Sequence, residues 1–107
     1  MSPVKKEYII LSVVSNEYKI TIEELTKPCA KGVPSSLQEP KLVAMRLLRK
    51  NTFFAIPRIA PVLGYSSAFS MSYADNILDA KLFNDEVFRR RMAKLEAILP
   101  QIFNIHK

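Results

Sequence analysis

The sequence predicts an all-α protein: one domain of five to six helices around a central helix-turn-helix. Three observations predict it. Apolar residues recur three and four positions apart along much of the chain, the spacing of one helix face. Helix-start signatures stand ahead of those runs, at Thr21 with Glu24 and at Asn84 with Asp85 and Glu86. Between them, residues 55–79 read as a short helix, a tight turn at Gly64-Tyr65, and a second helix opening on Ser66-Ser67.

Taken in order, residues 5–17 place Tyr8, Ile9, Ile10, Leu11, Val13 and Val14 at helical spacing. Their β-branched members leave a strand as the alternative. Thr21 and Glu24 form a capping box, so a short helix is expected to run to about Lys27 and stop at Pro28. Residues 27–40 hold Pro28, Gly32, Pro34 and Pro40 with few apolar side chains, the composition of a loop. Lys27 and Lys31 make that loop basic.

A helix is expected over 39–52, with Pro40 in its first turn. Val43, Ala44, Leu47 and Leu48 share one face. Arg46, Arg49 and Lys50 fall within an arc of about 100° on the other, with Lys41 near the helix start. That arc reads either as a solvated face or as a stripe of phosphate contacts. After the helix-turn-helix, Lys81-Leu82-Phe83 is expected to connect to a last helix capped by Asn84. Phe88, Met92, Leu95, Leu99 and Ile102 make its apolar seam, and Arg89, Arg90 and Arg91 lie outside it. Pro100 is expected to end or kink this helix, and residues 104–107 to fray.

Composition bounds the function. The 107 residues suit one domain, and 49% of them are apolar, enough to form a core. Net charge is +6, from sixteen Lys/Arg against ten Asp/Glu, which favours phosphate-bearing partners. Cys29 is the sole cysteine, so no disulfide staples the chain and no thiolate metal site is expected. His106 is the sole histidine, and the two glycines supply no phosphate-cradling loop. No nucleophile–base constellation can be assembled, so no enzyme activity and no cofactor are expected. Polar residues interrupt the apolar run behind the N-terminus, and no segment reaches the ~20 apolar residues of a membrane span. The expectation is a cytoplasmic, nucleoid-associated protein.

In the helix-turn-helix, Ile56, Ile59, Val62 and Leu63 give the first helix a core face, and Arg58 points away. Pro57 suits a first turn, while Pro61 implies a short or distorted helix. Gly64 can take the left-handed conformation the turn needs. Ser66 or Ser67 can cap the second helix, whose N-terminus attracts phosphate. Met71, Ala74 and Leu78 should face inward, leaving Phe69, Ser72, Tyr73 and Asn76 outward. Of these, Asn76 alone is a residue type that reads base edges. Asp75 and Asp79 are expected to repel phosphates. Phe69 and Tyr73, four apart, form an aromatic pair of the kind that marks protein interfaces.

Residues 10–82 resemble the C-terminal DNA-binding domain (domain IV) of the bacterial replication initiator DnaA. The resemblance rests on Glu17-Tyr18-Lys19-Ile20-Thr21-Ile22-Glu23-Glu24-Leu25, on Lys41-Leu42-Val43-Ala44-Met45-Arg46-Leu47-Leu48-Arg49, and on Ile56-Pro57-Arg58-Ile59-Ala60-Pro61-Val62-Leu63-Gly64. It implies a Trp-repressor-like helix-turn-helix fold and sequence-specific binding of double-stranded DNA in replication initiation. Lys41 and Arg49 keep the basic character of the family's phosphate-contacting helix. The family's Arg-Asp-His-Thr/Ser-Thr-Val signature is replaced by Ser66 to Met71, with Ser70 alone keeping a hydroxyl. A shorter stretch, Ile59 to Ser70, is similar to the second helix-turn-helix of AraC-type regulators.

Together these imply a stand-alone relative of the initiator's DNA-binding domain with weak or altered specificity. Its expected DNA-binding residues are Lys27, Lys31, Lys41, Arg46, Arg49, Arg58, Ser66, Ser67, Ser70, Tyr73 and Asn76. The alternative is a protein-interaction module in replication or transcription control that keeps the fold and docks a partner, or a second copy, through Phe69 and Tyr73.

Overall fold

The computed structural model describes residues 5–28, 32–65 and 68–105, the side chains of 68–73 excepted. Within them run six helices and no strand: α1 (Lys6–Tyr18), α2 (Ile22–Leu25), α3 (Ser35–Asn51), α4 (Ile56–Val62), α5 (Ala68–Asn84) and α6 (Glu86–Ile105). No helix among the described residues is long and apolar enough to cross a membrane.

α1 buries Ile9, Ile10, Leu11 and Val14, and the strand alternative is excluded. The chain leaves it through Lys19 at φ 56°. The Ile20 N–H then donates back to the Ser15 carbonyl at 3.0 Å. α2 opens on the expected capping box: the Glu24 N–H donates to Thr21 Oγ1 at 3.0 Å, and the Thr21 N–H to Glu24 Oε1 at 3.2 Å.

α3 is the hub, packing against α1, α2, α4 and α5. Its buried surface therefore exceeds one stripe: Leu42 and Met45 join Val43, Ala44, Leu47 and Leu48 in the core. It also starts earlier than the sequence implies. Residues 35–40 are helical, so the expected loop ends at Pro34, and Pro40 lies inside the helix. The proline removes one intrahelical bond, to the Ser36 carbonyl. Ser36 is exposed, so water can take that acceptor, and the ring is buried instead of ending the helix.

α5 and α6 also correct the sequence reading. The expected connector 81–83 is helical, and Asn84 ends α5, donating from Nδ2 to the Ala80 carbonyl at 2.9 Å. Asp85 is the cap of α6: its Oδ1 accepts from the Phe88 N–H at 3.0 Å. The cap thus sits one residue later than expected. Pro100 neither ends the last helix nor bounds it, because α6 runs on to Ile105. Pro100 is exposed. Asn104 and Ile105 are helical where fraying was expected, and His106 lies outside the described residues. The seam Phe88, Met92, Leu95 and Leu99 is buried as expected, with Ile102 half-buried. α6 packs against α1 and α5.

Candidate nucleic-acid interface

The site is built on the turn between α4 and α5. α4 starts at the expected Ile56, with Pro57 in the first turn and Pro61 near its end. Pro57 costs little, since the first-turn N–H groups have no helical acceptor, whereas Pro61 lies inside the helix and forgoes the bond to the Pro57 carbonyl. Ile59, Ala60 and Leu63 are buried, and Leu78 and Ala74 of α5 are buried with them. These residues hold α4 against α5.

Gly64 has φ +78°, a conformation side-chain-bearing residues rarely adopt. A Cβ there would press on the Lys27 carbonyl, whose carbon would lie 2.7 Å away. The turn therefore needs glycine for its conformation and for the close passage of the Lys27-Pro28 backbone.

Lys41 fastens the same junction. It is fully buried. Its Nζ donates to the Leu25 carbonyl at 2.7 Å, to the Lys27 carbonyl at 3.1 Å, and to the Leu63 carbonyl. Leu25 ends α2 and Leu63 follows α4, so the ammonium meets the partial negative charge of two helix C-termini. This corrects the expectation that Lys41 holds a phosphate: its charge is spent on backbone carbonyls inside the protein.

Arg46 and Arg49 are also placed differently from the expectation. Arg46 Nη2 lies 3.0 Å from Asp75 Oδ1 and 2.5 Å from Asp79 Oδ1. Arg49 Nη1 lies 2.6 Å from Asp75 Oδ2. Burial works to lower the Arg46 pKa, but the Asp79 and Asp75 carboxylates outweigh it and hold the group above its ordinary value. The two acids expected to repel phosphates are thus the partners of the two arginines expected to bind them. The signal was in the sequence: Arg46 and Arg49 are three apart and Asp75 and Asp79 four apart, so each pair lines one face of its helix. Which faces would meet was not readable from either helix alone.

Three expected contact residues stay outward. Arg58 is exposed on α4, with its guanidinium carbon 3.7 Å from the centroid of the Phe54 ring. Asn76 is exposed on α5. Lys27 is exposed in the loop behind the turn. Lys31, Ser66 and Ser67 lie outside the described residues, and so do the side chains of Phe69, Ser70 and Tyr73.

Sequence reasoning missed the segment ahead of α4. Phe53 is fully exposed, beside the Phe54–Arg58 stack. It also missed the exposed Ile77, Phe83 and Val87 of α5 and α6; a helix that packs on several neighbours has no single apolar stripe to flag the leftover residues. Among the described residues, no group of three His, Cys, Asp or Glu side chains is arranged to hold a metal ion. No protein-family model matches this chain, and no curated protein matches it.

Proposed function

We propose that this chain is a DNA-binding helix-turn-helix protein with weak or altered sequence specificity. The observation that carries the reading is the α4–Gly64–α5 unit, with a left-handed glycine at the turn and Arg58 and Asn76 exposed on its two helices. In helix-turn-helix proteins the second helix enters the major groove while the first crosses the backbone. In that pose Arg58 and Lys27 meet phosphates and Asn76 faces base edges. Phosphate contacts position without specifying, and one amide offers little discrimination. The resemblance to the initiator's DNA-binding domain supports the same reading and suggests a role in replication.

The test is fluorescence anisotropy with a random duplex of about 20 base pairs across a salt series. Each neutralised phosphate contributes about −0.9 to the slope of log affinity against log salt. We expect a slope on the order of −2 to −4, with Arg58→Ala removing about one phosphate's share. Binding that ignores salt, or no binding at about 50 mM salt, would sink the reading.

The second reading is a protein-interaction module in replication or transcription control. It is favoured by the pairing of Arg46 and Arg49 with Asp75 and Asp79, which leaves α3 little basic surface, and by exposed Ile77, Phe83 and Val87. Phe69→Ala and Tyr73→Ala separate the two readings. Loss of a partner or dimer with DNA affinity intact favours the module. Loss of DNA affinity together with Arg58→Ala favours the first.

A further inference from the structure

We infer that the cleft between α3 and α5 is a phosphate-backbone site held closed by its own carboxylates. It rests on the DNA-binding reading above and concerns how that binding is limited. The cleft has a volume of about 330 Å³ and is lined by Arg46, Arg49, Lys50, Asp75 and Asp79. Its cations come from one helix and its anions from the other.

The chemistry of the lining is that of a phosphate site already occupied. A guanidinium binds carboxylate and phosphate oxygens with the same fork of donors. The Asp75 carboxylate bridges the two arginines, one oxygen to each, at 3.0 and 2.6 Å. A phosphate with two free oxygens would span them in the same way. Arg46 Nε is buried and has no hydrogen-bond partner among the described residues, so the two carboxylates do not saturate this guanidinium. Asp79 is the looser member, its side chain 61% exposed. Lys50 points its ammonium to Glu96 at 2.9 Å, and both of these side chains are partly exposed. Water screens the more exposed Asp79 and Lys50 contacts, while Arg46 and Asp75, with side chains 19% and 20% exposed, form the tighter part of the closure.

The consequence is competition. In the resting protein Arg46 and Arg49 contribute little to DNA affinity, because each phosphate contact must displace a resident carboxylate. Removing the carboxylates frees two cations at a fixed spacing on α3.

The experiment is a cycle of four proteins: the native chain, Asp75→Asn/Asp79→Asn, Arg46→Gln/Arg49→Gln, and all four substitutions together. Each is titrated with a random 20-base-pair duplex across the salt series. The asparagine pair is expected to tighten binding about tenfold and to steepen the salt slope by about two phosphates' worth. The glutamine pair is expected to change affinity less than about twofold in the native background and to abolish the gain in the asparagine background. Glu7→Gln/Glu23→Gln removes the same charge elsewhere and is expected to leave the slope unchanged.

A gain that survives the glutamine pair, or that Glu7→Gln/Glu23→Gln reproduces, overturns the inference in favour of a general charge effect. Native binding with no gain in the asparagine pair overturns it and leaves the DNA-binding reading standing. No binding by the native chain overturns both, because the inference rests on that reading. If the double variant fails to fold by circular dichroism, Asp79→Asn carries the test with an expected gain of about threefold, and no gain there overturns the inference.

Discussion

Lys41 and Gly64 show how single residues set this junction. A lysine in a basic helix reads as surface, yet its ammonium reaches three backbone carbonyls in the interior. Lys41→Met keeps the volume and strands those carbonyls. Each unsatisfied buried acceptor costs about 1–3 kcal/mol, so we expect a loss of about 3 kcal/mol in urea unfolding. If Lys41→Met lowered DNA affinity with stability unchanged, the interior role would be wrong. Gly64→Ala combines a positive φ with a Cβ pressed on the Lys27 carbonyl. The conformation alone costs about 1–2 kcal/mol, so a loss of about 2 kcal/mol or more is expected by the same measurement. The glycine was legible in the sequence because a turn needs φ above zero there. The buried lysine was not, because its partners are backbone atoms of α2, α4 and the loop, which no side-chain pattern reports.

At the scale of elements, α6 carries two checks. Asp85 caps it, and the Phe88 N–H it accepts holds its carboxyl below the ordinary value of 3.8. A depressed carboxyl pKa contributes stability above its unfolded value and loses it as pH falls through the folded one. Asp85→Ala is therefore expected to lower the Tm at pH 7 and to flatten the fall in Tm on acidification below about pH 4. An unchanged acid limb would show that the cap bond carries no folding energy. Pro100 interrupts the helix's hydrogen bonding while facing solvent. A proline in a helix interior costs up to about 3 kcal/mol against alanine. Pro100→Ala should stabilise by about 1 kcal/mol or more, measured by thermal unfolding. No gain would mean that the helix bends around the ring without loss. Apolar spacing made both α5 and α6 visible. Their boundaries were misplaced because Asn and Asp are equally good caps and Pro equally good punctuation, and packing chose among them.

Over the whole molecule, charge acts as stitching. Arg91 of α6 reaches Glu39 of α3 at 2.6 Å and Glu17 of α1 at 3.6 Å, and Lys94 reaches Glu17 at 3.1 Å. Lys81 of α5 lies 3.5 Å from the same Glu39. Burial pushes the Tyr18 phenol up from its ordinary value, and Glu39 adds to it. Arg91 lies over the Tyr18 ring, 5.0 Å from its centroid. These partly exposed pairs are each worth about 0–1 kcal/mol. Glu39→Gln is expected to cost about 1 kcal/mol, with a coupling to Arg91→Gln that shrinks at high salt. A coupling of zero in the double-mutant cycle would show the network to be ornamental. The radius of gyration is 13.3 Å, about the 13 Å expected for one compact domain of this length.

The sequence by itself determined the helical class, the capping box at Thr21, the apolar seam of α6 and the glycine turn that follows α4. All of these follow from spacing along one helix or from the conformation of one residue, which are local properties. The tertiary structure alone decided where the charges went. Only the packing of α3 on α5 set Arg46 and Arg49 against Asp75 and Asp79, and only the meeting of α2 and α4 made an interior socket for Lys41. A net charge of +6 counts residues, whereas a binding surface counts cations that remain after neighbours have taken theirs. That difference depends on contacts between residues far apart in the chain, which periodicity does not carry.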